Sequence, residues 1–473
     1  MKEGKLMSLG NENSSKLTDG NRTILMAVLL SGAFAAILNQ TLLATAIPHI
    51  MSDLNLDADV AQWLQSIFML VNGIMIPITA FLINKFSTRA LFFTAMSLFG
   101  LGTLICGISP SFSVLLAGRI LQAAGAGIIM PLMQTILFLV YPRTERGKAM
   151  GMFGLVISFA PAIGPTLSGW FIDIYPWRGL FYMLLPIVVI DLVVAYFILR
   201  NVTEKTNPKL DMTSIMLSTL GFGGLLYGFS AAGSSGWLSL MVIIPIIVGA
   251  ISLVLFIKRQ NRLKEPMLEF GVFKDKIFTL STSLGMIVFM SMIGGAVILP
   301  IFMQTMLGFS AMESGMMLLP GALIMGLMSP ITGRLFDKYG ARWLAIIGLG
   351  MLSVTTLMFA NLNTETTFTY LAVVNTFRML GVAMVMMPVT TEGLNQLSNK
   401  LVPHGTAMNN TMRQVAGAVG TALLVSIMTN TMKPDEGVPG MIHGVNMSFM
   451  FAGILAFIGF VMAFKLRRTN EMD

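Results

Sequence analysis

Four ionisable side chains, Arg119, Asp191, Arg378 and Arg413, sit inside long apolar stretches of this sequence, and a fifth, Glu392, closes another one turn after Met386-Met387-Pro388. An ionisable group within hydrocarbon costs about 2.5–3.5 kcal/mol on insertion scales, so each is a candidate for function. A carboxyl that moves between water and an apolar site exchanges a proton with its surroundings. Asp191 and Glu392 are therefore the candidate proton carriers; a packed acid is the competing reading for the first and a solvated one for the second. Neutral polar residues accompany them. Asn39, Gln40 and Thr41 can hydrogen-bond a ligand or one another, Gln122, Gln134 and Gln304 supply further amides, and Asn409, Asn410, Arg413 and Gln414 make one stretch unusually polar. Trp63, Gln65, Phe68 and Met130 describe an apolar pocket with a few polar groups, the usual form of a small-molecule site. Flexible methionines, of which there are 41, re-pack around ligands of different shape.

Other chemistries find no residues to carry them. There is no Gly-x-x-x-x-Gly-Lys-Ser/Thr loop, so nucleotide hydrolysis is not the energy source. His49, His404 and His443 fall in loops or at the ends of apolar stretches, with no nucleophile and base set, which disfavours a membrane enzyme. No metal site or cofactor is expected. The single cysteine, Cys106, lies in an apolar run and can form no internal disulfide.

The elements that must hold these residues are membrane helices. Of 473 residues, 55% are hydrophobic and 11% charged, and the mean hydropathy is +0.79; a soluble domain carries about 25% charged residues. Apolar stretches of about 20 residues, enough to cross a bilayer core, recur fourteen times, from 24–47 to 446–465. Helices are the spanning element because lipid offers no partner to an exposed backbone group. The net charge of +8 reflects orientation and not nucleic-acid binding: with the N-terminus in the cytosol, 25 of the 30 Lys and Arg residues fall on the cytoplasmic side. The chain divides into a cytoplasmic tail (1–23), a six-helix bundle (24–200), two inserted helices with linkers (201–276), a second six-helix bundle (277–466) and a second tail (467–473).

An internal repeat supports two bundles. Ala80-Phe-Leu-Ile-Asn84-Lys85-Phe-Ser87-Thr-Arg89 matches Gly333-Arg-Leu-Phe-Asp337-Lys338-Tyr-Gly340-Ala-Arg342, each following Pro-Ile-Thr. Parallel repeats of this kind frame a ligand site at the midplane. Gly333 and Gly340 allow close approach and a tight turn, Asp337 can accept from a helix N-terminus, and Arg342 can pair across the bundle.

The second copy resembles the cytoplasmic-loop signature of the major facilitator superfamily. Arg119-Ile-Leu-Gln122-Ala-Ala-Gly125 resembles the family's intramembrane arginine motif, and Ala160-Pro161-Ala-Ile-Gly164-Pro165-Thr-Leu-Ser168-Gly169 its antiporter signature. Trp177-Arg178-Gly-Leu-Phe181, Leu319-Pro320-Gly321 and Met412-Arg413-Gln414 are similar to the fourteen-helix drug/proton antiporter branch, and Thr219-Leu-Gly-Phe-Gly-Gly and Gly393-Leu-Asn-Gln-Leu to its lincomycin-resistance exporters. The resemblance implies an all-α membrane protein of two six-helix bundles plus two inserted helices. It assigns Arg119 to a central cavity, where a fixed positive charge could lower the pKa of a nearby acid or hold it in one geometry, and it sets the span at 406–428 across the cleft from that at 60–83. The acid that this branch often carries in helix 1 is replaced by Asn39. The implied function is proton-coupled efflux of amphipathic compounds such as lincosamides, dyes or quaternary ammonium cations from a bacterial cytoplasmic membrane. Export of a lipid, fatty acid or endogenous metabolite is the rival reading, and a transporter-like sensor the remote one. The expected partners are small amphipathic substrates and membrane lipids, with a monomeric chain and both termini cytoplasmic.

Overall fold

The computed structural model describes residues 19–172, 174–202 and 210–466. The second tail and most of the first lie outside them. Fourteen helices are long and apolar enough to cross a membrane, and no strand occurs among the described residues. They are α1 (Asp19–Leu54), α2 (Ala58–Lys85), α3 (Thr88–Gly107), α4 (Phe112–Val140), α5 (Arg146–Ile172), α6 (Gly179–Ile198), α7 (Met212–Ser235), α8 (Leu240–Gln260), α9 (Lys276–Ile301), α10 (Ala311–Tyr339), α11 (Ala341–Met358), α12 (Phe368–Asn395), α13 (Val402–Thr431) and α14 (Gly437–Ala463). A π turn, Phe302–Met306, continues α9.

Several helices outrun the apolar stretches that announce them. α10 extends through the repeat as far as Tyr339, so most of the motif expected in a loop is helical, and α14 begins at Gly437 and places His443 inside a helix. Polar side chains set the starts. Ser310 and Glu313 form a capping box on α10, Asp275 accepts from Ile277 and Phe278 at the head of α9, and Ser87 caps α3.

Packing obeys the repeat. In the first bundle α4 packs on α2 and α3, α5 on α1, and α6 on α1 and α3; α12 on α10 and α11, α13 on α9, and α14 on α11 and α9 reproduce these pairs. The bundles meet through α5 with α10 and through α2 with α13, which are equivalent seams under the same exchange. The inserted pair breaks the symmetry. α7 packs on α8 and covers the α2–α13 seam, where Leu226 lies against Gly73 and Tyr227 stacks on Trp63 with ring centroids 6.0 Å apart. α8 presents Leu240, Met241, Ile244, Ile247, Ile251 and Leu255 outward. An apolar face of this extent belongs in lipid and not in water.

The short turns after α2, α10 and α12 and the linker 261–275 lie at one end of the bundle, here termed the basic end. At that half the apolar cores of the two bundles are fused. Phe81 and Phe138 pack with Phe278, Leu394 and Val402, and Met267, Leu268 and Val272 of the linker are buried among them. At the opposite half the cores are separate: Leu38, Leu64, Leu115 and Phe181 form one, and Ile298, Phe359, Leu371 and Phe449 form another. The molecule is thus closed at the basic end and divided at the other.

Candidate functional site

The seam at the basic end is built from small residues and polar bonds. A Cβ on Gly333 would lie 2.2 Å from the Gly147 carbonyl oxygen, and one on Gly151 2.5 Å from that of Ser329, so α5 and α10 touch backbone to backbone. Asp337 accepts from the Gly147 and Lys148 backbone N–H groups at 2.7 and 2.8 Å and so caps the start of α5 from the other bundle. Gly340 turns the chain at φ 75°, a conformation that only glycine adopts freely. Arg342 makes no ion pair among the described residues, and its Nε is buried without a partner. The degenerate first copy makes a neutral contact instead: the Asn84 amide lies 2.9 Å from Nε2 of His404, near the start of α13. Arg146 donates to Asn395 at 2.8 Å.

Above this seam lies a buried polar layer. Arg413 donates to Asn410, and the Asn410 amide donates across the seam to Gln134 on α4 at 2.8 Å. Asn409 is buried beside them, whereas Gln414 is half-buried. A second group occupies the first bundle. Arg119 is fully buried, lies 4.3 Å from the Phe68 ring centroid, and donates to the Leu64 carbonyl at 3.2 Å and to Gln122 at 3.0 Å; Gln122 donates in turn to Asn39 at 3.3 Å and Thr103 at 2.9 Å. Among the described residues no carboxylate lies within ion-pair distance of Arg119. Arg378 occupies the corresponding helix α12 but turns elsewhere, donating to Thr356 on α11 at 3.3 Å and to the Ser291 carbonyl on α9, against Gly295, which has no Cβ to obstruct it.

Asp191 is buried inside the first bundle, where the Ser31 hydroxyl on α1 donates to one carboxyl oxygen while the other has no hydrogen-bond partner; Gly32 lies beside it. Glu392 is buried at the end of α12 and accepts from Gln396 at 3.1 Å. These two acids therefore lie apart, on α6 and α12. Of the expected cavity residues, Trp63 is 42% exposed and faces α7, Gln304 is exposed on the π turn, and Gln40, Thr41, Gln65 and Met130 are half-buried. The antiporter string binds α5 to α1 within its own bundle: a Cβ on Gly164 would meet the Thr41 hydroxyl at 2.1 Å, and Ser168 donates to the Leu42 carbonyl at 2.8 Å. Ala160 is buried, Pro161 and Pro165 are exposed, and Gly169 faces open space.

The sequence model described as Major Facilitator Superfamily matches residues 29–421. The chain belongs to this superfamily. A relative in Bacillus subtilis (strain 168), the uncharacterized MFS-type transporter YcnB, is 54% identical over 455 residues, covering 95% of this chain and 96% of its own. Lincomycin resistance protein LmrB of the same organism is 42% identical over 460 residues, covering 94% and 96%. Among solved structures, the human organic anion transporter MFSD10 (TETRAN) superposes with a TM-score of 0.68 over 93% of this chain and 99% of that one, at 14% identity. That likeness establishes the fold alone. This facilitator is accordingly a multi-pass membrane transporter and not an enzyme.

Three features of the facilitator escaped the sequence reading. Gly147, Gly151 and Gly154 line the face of α5 that meets α10, and their spacing against Ser329 and Gly333 is the small-residue signal of a close helix pair. Ser31 and His404 offered no signal of their own, because their partners lie 160 and 320 residues away.

Proposed function

We propose that this facilitator exports amphipathic small molecules from a bacterial cytoplasmic membrane in exchange for protons, by alternating access of its two bundles. The observation that carries the reading is the apolar core, fused across the bundles at the basic end and split at the other. With the basic end in the cytosol, as the positive-inside rule directs, this is a state closed to the cytosol and open to the outside. The opposite state requires the small-residue contacts of α5 with α10 to part. The relationship to a protein named for lincomycin resistance supports drugs such as lincosamides as cargo, and a lipid, fatty acid or metabolite fits the same route.

Proton coupling is assigned to Asp191 and Glu392, the buried acids of the membrane interior. Asp191 bonds α6 to α1, so gain or loss of a proton changes how these helices hold together. The test is efflux of a lincosamide and of a fluorescent amphipath from proteoliposomes, with and without an imposed proton gradient. Gradient-driven movement is expected in the unmodified chain and is lost in Asp191→Asn, Glu392→Gln or the double variant. Full gradient-driven transport in all three would remove the assignment.

A further inference from the structure

An arginine fixes the direction of any hydrogen-bond chain that it starts, because a guanidinium only donates. Two such chains run through the membrane interior. In one, Arg413 donates to the Asn410 oxygen, so the Asn410 nitrogen is left to donate to the Gln134 oxygen, and Gln134 Nε2 remains buried with nothing to accept from it. In the other, Arg119 donates to the Gln122 oxygen, Gln122 Nε2 donates to the Asn39 oxygen, and Asn39 Nδ2 is the buried, unmet group. Both chains therefore end as they begin, in a donor. Arg413 Nη1, Arg119 Nη2 and Asn409 Nδ2, one turn before Arg413, are unmet as well.

Charge tells the same story. Arg119 and Arg413 are 0% and 6% exposed, and among the described residues neither has a carboxylate within ion-pair distance. A buried guanidinium with no counter-charge is among the most expensive groups a protein can hold, and each unmet buried donor adds to that cost. A ligand that brings acceptor oxygens and a negative charge removes both penalties on binding. One that brings a cation meets like charge and no acceptor.

We propose that the head group of the cargo is a carboxylate-type anion on an amphipathic body, held between Arg413 of one bundle and Gln134 of the other. This rests on the transport reading above, and selects the acidic amphipaths within it over cationic ones, the amine-bearing lincosamides as well as quaternary ammonium compounds. Arg413 supplies charge and Gln134 a second N–H from across the seam, so the anion is bound by both bundles at once. Arg119 contributes a positive field in the first bundle.

Binding is measured first, on the solubilised full-length protein with no gradient, so that a failure of proton coupling is not mistaken for the wrong cargo. The probes share one pyrene body and end in a carboxylate, a primary amide or a trimethylammonium group. On the unmodified chain the carboxylate is expected to bind at least about tenfold more tightly than the trimethylammonium probe, with the amide between them. Arg413→Gln is expected to weaken the carboxylate about tenfold and the amide less than about twofold, Arg413→Lys to restore part of the loss, and Gln134→Leu to weaken both acceptor-bearing probes. Equal or tighter binding of the trimethylammonium probe overturns the proposal, as does an undiminished carboxylate preference in folded Arg413→Gln. The head-group comparison needs no variant, so misfolding of one does not protect the idea. Carboxylate binding without gradient-driven movement would reject proton exchange and leave the anion site standing.

Discussion

At the scale of single residues, Gly333 shows how little room the closed end has. The Cβ of an alanine there would sit 2.2 Å from the Gly147 carbonyl oxygen, which is backbone and cannot swing aside. Overpacking of this kind costs about 1–3 kcal/mol, and that cost falls only on the state in which α5 and α10 touch. Gly333→Ala is therefore expected to shift the balance toward the state open at the basic end by about 5- to 150-fold. The shift can be read from thiol labelling of a Gly169→Cys reporter, which faces open space at the far end, against a low background because Cys106 is buried. Labelling should slow; an unchanged rate would show that this contact does not set the equilibrium. The roles of Gly333, Asp337 and Gly340 were legible because each follows from its own place in a motif. Asn84 with His404 was not, since a contact between residues so far apart in the chain leaves no local trace.

At the scale of elements, the inserted pair and its linker behave as a clasp. Arg259 at the end of α8 is 2.6 Å from Asp211 before α7. Gln260 donates to Ser214 at 2.6 Å and accepts from the Met267 and Leu268 backbone, which fixes the linker beneath the closed end. The Arg259 guanidinium, working against partial burial, holds the Asp211 carboxyl down at about 2, below its ordinary 3.8. A depressed carboxylate stabilises the fold above its ordinary value and stops doing so as the pH falls through its folded value. Asp211→Asn is expected to loosen the clasp at pH 7 by at most about 1 kcal/mol, because the pair is partly exposed, and this difference fades as the pH falls through about 2. Hydrogen exchange of the amides of residues 262–270 measures it; equal protection at pH 7 would show that the ion pair contributes nothing. The inserted pair was legible from two apolar stretches without ionisable residues ahead of a charged linker. Its seat over one seam was not, because a lipid-facing helix and a helix packed on a neighbouring bundle have similar compositions.

At the scale of the whole molecule, the fused and divided cores make one strong demand. If the basic end must open for cargo to enter from the cytosol, a bridge across it stops transport while leaving the far end accessible. Asn84→Cys with His404→Cys places two thiols where side chains now meet, and a short bifunctional thiol reagent can span them. Bridged protein should show no efflux and should retain labelling of a far-end cysteine, with both single variants treated identically as controls. Efflux from fully bridged protein would refute alternating access of the bundles.

The sequence by itself determined the class of this protein. Stretches of about 20 apolar residues admit only helices in lipid, and the repeat of Pro-Ile-Thr with its following motif implies paired bundles. These properties are local or additive, so they survive in a linear reading. Three things were left to the tertiary structure. It decided that Arg119 and Arg378, alike in sequence, turn to different helices; that the antiporter string grips α1 while three unremarked glycines form the seam; and that the bundles are closed at the basic end. Each depends on which faces of distant helices meet. Both states of such a transporter are encoded by the same residues, and only packing distinguishes them.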